Sequence, residues 1–216
     1  MKPKLQLALD TVSLQNARQY ARELIDYWDI LEIGTPLLLN EGFNCVKEFR
    51  KTFQYANILV DTKIIDNGSL ISSLACKAGA NIITVVSAAS KKSITDCISA
   101  AHANNCQVLL DHISENWEAS DFIKKSNLEV DLIGLHFPKD IQTANSIRNE
   151  KLERIIEQID KPIFLAGGMN PQKIHQLKGL PISVFVIGGY LLNAENKLKN
   201  AINLKSELQY FTGESE

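Results

Sequence analysis

No apolar run in this chain approaches the roughly 20 residues that a helix needs to cross a bilayer, so a membrane span is excluded at the outset. Basic runs and interleaved aromatic and basic residues are also missing. With 23 Lys and Arg against 25 Asp and Glu, the formal net charge is −2. The isoelectric point is about 6.1. That balance argues against nucleic acid or another polyanion as the partner. Cys45, Cys76, Cys97 and Cys106 make no Cys-x-x-Cys and stand in no Cys/His ligand spacing. A chain of 216 residues can bury a core without staples, so they read as buried thiols in a reducing compartment. Met1-Lys2-Pro3-Lys4 leads into a short apolar stretch broken by Gln6 and Asp10, which is not a signal-peptide pattern. A cytoplasmic protein is expected. No Pro/Ser/Gly-rich linker divides the chain, so a single domain is expected over 1–210, with a frayed tail at 211–216.

What the chain does have is alternation. Short apolar runs fall at Leu5–Leu9, Asp29–Ile33, Ile58–Val60, Ile82–Val86, Val108–Leu110, Leu132–Leu135, Ile163–Ala166 and Val184–Ile187. Amphipathic stretches separate them, among them Leu14–Tyr27, Gly42–Phe53, Ser69–Ala78, Lys91–Asn104 and Ile147–Ile159. In the first of these, Leu14, Ala17, Ala21, Leu24 and Ile25 recur at helical spacing. Near-continuous apolar strands joined by crossover helices pair in parallel with both faces covered. Eight such units make a (β/α)₈ TIM barrel in the α/β class. The competing doubly wound sheet needs a glycine-rich fingerprint after its first strand, and Leu9-Asp10-Thr11-Val12 has none.

Barrel chemistry sits at the carboxyl ends of the strands, and there the apolar runs turn polar. Asp10 closes strand one and Glu32 interrupts strand two. Strand three runs into Asp61-Thr62-Lys63-Ile64-Ile65-Asp66, which puts two carboxylates and an ammonium within six residues. Regular alternation along a strand predicts that Asp61 and Lys63 share a face. Ionised groups at the end of a buried strand are costly unless they are paired or hold a metal. Asp111 and His112 end strand five and His136 ends strand six, opposite Asp61 and Lys63. One Asp at such a place commonly caps the next helix, as Asp10 would ahead of Ser13, but Glu is a poor cap and one rim collects many such groups. His136 has the address of a catalytic base, whereas His102 and His175 fall in helical stretches and His112 carries no assigned role.

Gly167-Gly168 and Gly188-Gly189 follow strands seven and eight. Loops at those two places in a barrel commonly cradle a phosphate with backbone N–H groups, and glycine lets the backbone approach the anion.

These residues in this order resemble the orotidine-phosphate-decarboxylase superfamily, whose mark is Asp-x-Lys-x-x-Asp after strand three. The resemblance spans nearly the whole chain: Leu5-Gln6-Leu7-Ala8-Leu9-Asp10, Glu32-Ile33-Gly34-Thr35-Pro36, the Asp61–Asp66 segment, Ala78-Gly79-Ala80, Ala166-Gly167-Gly168 and Ile187-Gly188-Gly189. It is strongest to the branch of 3-hexulose-6-phosphate synthase and 3-keto-L-gulonate-6-phosphate decarboxylase. The resemblance implies Mg²⁺ held by Glu32 and Asp61 and used to hold an enediolate of a phosphorylated ketose, hard oxygen ligands suiting that ion. It also implies a homodimer in which Asp66 reaches into the neighbour's site. Its members of the decarboxylase type show Glu after strand five, Arg three residues past the strand-six His, Thr before the strand-seven glycines and Arg after the strand-eight glycine. Here those places hold Asp111, Lys139, Ala166 and Tyr190. Asp111 and Ala166 match the synthase, Tyr190 lacks the decarboxylase Arg, and Lys139 retains a cation. The usual stretch after the strand-six His is replaced by Phe137-Pro138, and Asp66 is followed by Asn67-Gly68.

The expectation is therefore an Mg²⁺-dependent aldolase that joins formaldehyde to D-ribulose 5-phosphate. In it Lys63, His136, Asp61 and Asp66 are catalytic, and Asp10, Lys63, Asp111 and Lys139 bind substrate. Gly167, Gly168, Gly188 and Gly189 hold the phosphate, and Glu32 and Asp61 hold the metal. The first alternative is decarboxylation of 3-keto-L-gulonate 6-phosphate to L-xylulose 5-phosphate and CO₂. The second is a sugar-phosphate sensor without activity, against which the intact polar set argues.

Overall fold

The structure, a computed structural model, describes residues 2–114, 120–137 and 150–211. Eight strands, β1 (Lys4–Leu9), β2 (Ile30–Ile33), β3 (Asn57–Ile64), β4 (Ile82–Val86), β5 (Gln107–Ile113), β6 (Leu132–His136), β7 (Ile163–Ala166) and β8 (Ile182–Ile187), close into a parallel barrel in chain order, β8 pairing back onto β1. The helices between them are α1 (Leu14–Glu23), α2 (Thr35–Glu41), α3 (Phe43–Thr52), α4 (Gly68–Ala78), α5 (Lys91–His102), α6 (Ser120–Ser126), α7 (Glu150–Ile156), α8 (Pro171–Gln176), α9 (Gly189–Leu192) and α10 (Lys197–Tyr210). This is the (β/α)₈ barrel that the alternating pattern predicts. The tail expected to fray lies, from residue 212 on, outside the described residues.

Local chemistry sets the helix starts. The Ser13 hydroxyl accepts from the Asn16 N–H to open α1, and Ser90 accepts from Ser93 N–H to open α5. Asn170 caps α8 by accepting from Lys173 N–H, ahead of Pro171 at the first helical position. Some expected elements differ in their bounds from the finished ones, two of them in ways that matter here. The helix expected over Leu14–Tyr27 stops at Glu23, where the chain turns with Tyr27 N–H donating to Leu24 O at 2.9 Å. The apolar run Ile58–Val60 is the core of a strand that continues to Ile64, so Asp61 and Lys63 lie near its end, as expected.

The sheet has two unlike faces. Outward side chains such as Leu7, Ile33, Val60, Ile83, Leu110, Ile133, Leu165 and Phe185 are fully buried under the helix ring. Inward side chains form a floor of Ile30, Leu59, Ile82, Leu109, Leu132, Phe164 and Val184. One pleat further along the same strands, the inward positions become Glu32, Asp61, Thr84, Asp111 and Gly134. The apolar floor closes the barrel and the next layer is where it opens to chemistry. All four cysteines are buried and free, and burial pushes the Cys45 and Cys97 thiols up to about 11. Among the described residues no helix is long and apolar enough to cross a membrane.

Candidate active site

A cavity of about 690 Å³ occupies the carboxyl-terminal mouth of the barrel. Asp10, Glu32, Asp61, Lys63, Asp111 and His136 all line it, together with Gly167, Gly168, Gly188 and Gly189. Asp66 does not line it: that side chain is exposed at the turn into α4. Lys139 lies outside the described residues. His112, which follows Asp111 at the end of strand five and carries no assigned role, is buried on the opposite face of β5. Its Nδ1 is 2.8 Å from Ser87 Oγ and its ring stacks on Phe122 at 4.0 Å, so alternation along the strand sends it to the helix layer when Asp111 points inward.

Lys63 is the hub. Its Nζ lies 2.8 Å from Asp61 Oδ2 and 3.4 Å from Asp111 Oδ2. Burial alone would lower its pKa, but Asp61 and Asp111 override that and hold the ammonium charged well above the ordinary lysine range. Asp111 is the second junction, since His136 Nδ1 stands 3.6 Å from the same Oδ2. Burial pushes this carboxyl up, yet His136 and Lys63 together bring it below its ordinary value. Asp61 is held from three sides. Thr35 Oγ1 donates to Oδ2 at 2.7 Å, Thr84 Oγ1 donates to Oδ1 at 2.9 Å, and Lys63 reaches both oxygens.

Asp61 and Lys63 meet as expected, but not through regular alternation. Lys63 has φ +43° in the left-handed region, and the β3–β4 register shifts between Val60 and Ile64. A non-glycine residue held there stores about 1–3 kcal/mol of strain, a cost typical of functional positions.

Glu32 faces a different environment. Its Oε2 accepts from Gln6 Nε2 at 2.6 Å, and only 7% of the residue is exposed. Burial, with Asp61 and Asp10 nearby, raises its carboxyl well above the ordinary range, against the lowering pull of the Gln6 hydrogen bond and of Lys63. Gln6 Oε1 is buried with no hydrogen-bond partner.

Backbone conformation shapes the other side of the cavity. Gly167 and Gly168 have φ +108° and +62°, and a Cβ on Gly167 would run into Phe137 O. Phe137 packs beneath that loop, against the core and away from the cavity lining. Gln6, Thr35 and Thr84 receive no role from the sequence, because each reads as an ordinary strand or cap residue. The one signal was that Gln6 and Thr84 are polar side chains inside runs of apolar ones.

A parallel barrel with its charged residues gathered at the carboxyl-terminal mouth, beside a loop whose two glycines have positive φ, is the architecture of a barrel enzyme. The chain belongs to the orotidine 5′-phosphate decarboxylase / HUMPS family, whose model matches residues 3–203. It is 31% identical over 207 residues to the 3-hexulose-6-phosphate synthase of Staphylococcus aureus strain USA300, a match covering 95% of this chain and 99% of that one. The crystal structure of 3-hexulose-6-phosphate synthase from Salmonella typhimurium is similar with a TM-score of 0.86 at 30% identity, covering 96% of this chain and 99% of that one. The crystal structure of 3-keto-L-gulonate-6-phosphate decarboxylase from Vibrio cholerae O1 is similar with a TM-score of 0.86 at 27% identity, over 98% and 99% of the two chains. The expected branch is therefore the right one, and both of its activities stand among the similar proteins.

Proposed function

We propose that the chain is an Mg²⁺-dependent aldolase that adds formaldehyde to D-ribulose 5-phosphate to give a 3-hexulose 6-phosphate. The observation that carries this reading is the Lys63–Asp111–His136 chain of contacts facing Glu32 and Asp61 across one cavity.

The residues fit a hard divalent ion. Glu32 and Asp61 supply buried carboxylate oxygens, and the raised Glu32 pKa marks negative charge that a cation would relieve. Among the described residues no three His, Cys, Asp or Glu side chains form a cage on their own, so substrate and water would complete the shell. When bound, the ion supplies Lewis-acid polarisation of the ketose carbonyl.

The chain's own residues do the rest. His136, held on its Nδ1 side by Asp111, takes the C1 proton with its other nitrogen. The Lys63 ammonium stabilises the negative charge that develops on the substrate as an enediolate. C1 then attacks the carbonyl carbon of formaldehyde, forming a C–C bond while the C=O π pair moves onto oxygen. That oxygen receives a proton relayed from His136 or Lys63, and the proton taken at C1 restores the balance. Asp10 holds substrate hydroxyls, and the Gly167-Gly168 and Gly188-Gly189 loops hold the phosphate, binding energy remote from the reacting carbon.

Asp66 supports a homodimer. It is exposed outside its own cavity, next to exposed Ile65, Leu70 and Leu74, and it would complete the neighbour's site. The four buried free thiols favour a reducing cytoplasm.

The test is formaldehyde-dependent loss of ribulose 5-phosphate in Mg²⁺ or Mn²⁺, compared with a chelated control. Consumption at background would overturn the reading. Lys139 keeps a cation where the decarboxylase has one, which favours 3-keto-L-gulonate 6-phosphate as second substrate, so CO₂ release from it belongs in the same assay.

A further inference from the structure

Between Val60↔Ile83 and Ile64↔Val85, three residues of β3 stand against one residue of β4. The three are Asp61, Thr62 and Lys63, and the one is Thr84. A bulge of that size should leave ladder groups unpaired and let the strand slide. Side chains fill the gap instead. The Thr62 hydroxyl donates to Thr84 O at 2.7 Å and accepts from Thr84 N–H at 3.2 Å. The Thr84 hydroxyl accepts from Lys63 N–H at 2.9 Å and donates to Asp61 Oδ1 at 2.9 Å. Every strong hydrogen-bonding group of Thr84 so described is engaged with the bulge, and Thr84 is only 3% exposed.

We infer that Thr62 and Thr84 form a reciprocal lock that holds Lys63 in its left-handed conformation and so keeps its ammonium between Asp61 and Asp111. Thr84 acts through its neighbours and is a positioning residue. A hydroxyl is required because one atom must accept from a backbone N–H and donate to a carboxylate at once. Valine has the same shape and can do neither. The inference rests on the reading of this cavity as the site where Lys63 acts, so its test includes a measurement that needs no turnover.

Thr84→Val is expected to lower kcat about 10- to 100-fold while KM for the phosphorylated ketose rises by no more than about threefold, because the glycine loops that would hold the phosphate end do not touch the lock. Hydrogen exchange at the Lys63 amide should accelerate at least about tenfold with the rest of β3 and β4 unchanged. Thr84→Ser keeps the hydroxyl and should restore both to within about threefold of wild type. Thr62→Val removes the other half of the lock and should shift the same amide in the same direction, which covers the case in which Thr84→Val fails to fold. A Lys63 amide that exchanges as in wild type in a folded valine variant overturns the inference. If wild type turns over neither substrate yet the Lys63 amide responds, the positioning stands and the proposed activity falls.

Discussion

The ionisable residues of the cavity divide into two groups with opposite responses to pH. Asp111 is held below its ordinary value and Lys63 above its own, so that pair adds stability across the neutral range. Its contribution is lost only as pH falls through the lowered Asp111 value or rises through the raised Lys63 value. Glu32 is raised, and the sign reverses: the folded state binds its proton more tightly, so stability is lost as pH rises through the raised value. Metal-free Glu32→Gln should therefore melt a few degrees above wild type at neutral pH, about 2–4 °C per kcal/mol for a domain of this size. The difference should shrink on acidification toward the ordinary carboxylate range. Mg²⁺ should raise the melting temperature of wild type and leave the variant where it was. Thermal scans with chelator and with Mg²⁺ at two pH values check all three, and an unchanged wild-type melting point in Mg²⁺ would count against Glu32 as a ligand.

Lys63 gives the second expectation at this scale. Lys63→Ala leaves Asp61 and Asp111 buried without their ammonium, and it removes charge stabilisation worth about 100- to 1,000-fold in kcat. Steady-state assays of the Lys63→Ala variant measure it, with substrate affinity for the phosphate end retained. Glu32, Asp61, Lys63 and His136 were legible in the sequence because charge is conspicuous at the end of an apolar run. Gln6 and Thr84 were not, since their importance comes from what lies opposite them in the closed barrel.

Strands and loops show where pattern reading stops. The apolar runs located all eight strands, because a parallel strand covered on both faces has no other way to be written. Helix starts followed from Ser13 and Ser90, whose caps are local. The bulge in β3 was invisible, because a register shift depends on the partner strand and regular alternation happens to give the same neighbours. His112 shows the same rule from the other side: one residue along the strand exchanges cavity for helix layer. The glycine loop after β7 yields a prediction of its own. Gly167→Ala places a Cβ against Phe137 O at a φ of +108°, so the loop must move. Stability should fall by about 1–3 kcal/mol. KM for the phosphorylated substrate should rise about tenfold if the loop holds the phosphate, equivalent to about 1.4 kcal/mol of binding. Denaturant melts and steady-state kinetics separate the two effects, and a stable variant with unaltered KM would remove this loop from the anion site.

At the scale of the whole molecule, one charged residue of the Asp-x-Lys-x-x-Asp segment stands apart from the rest. Asp61 and Lys63 face the cavity, while Asp66 is exposed past the strand end, followed by Asn67 in the left-handed conformation at φ +54°. Within one chain Asp66 stands outside the cavity lining, and the exposed Ile65, Leu70 and Leu74 beside it are an apolar set that a second copy could cover. If the protein is a two-fold dimer, each site takes Lys63 from one chain and Asp66 from the other. The consequence is complementation. Lys63→Ala and Asp66→Ala should each be nearly inactive alone, yet mixing them under conditions that exchange subunits produces heterodimers with one wholly native site. Random exchange at equal amounts should restore about a quarter of wild-type activity, since about half the dimers are mixed and each carries one such site of two. If Asp66 served its own chain's cavity, the mixed dimer would hold two defective sites and no activity would return. The comparison is made by assaying the separate variants, the mixture before exchange and the mixture after it.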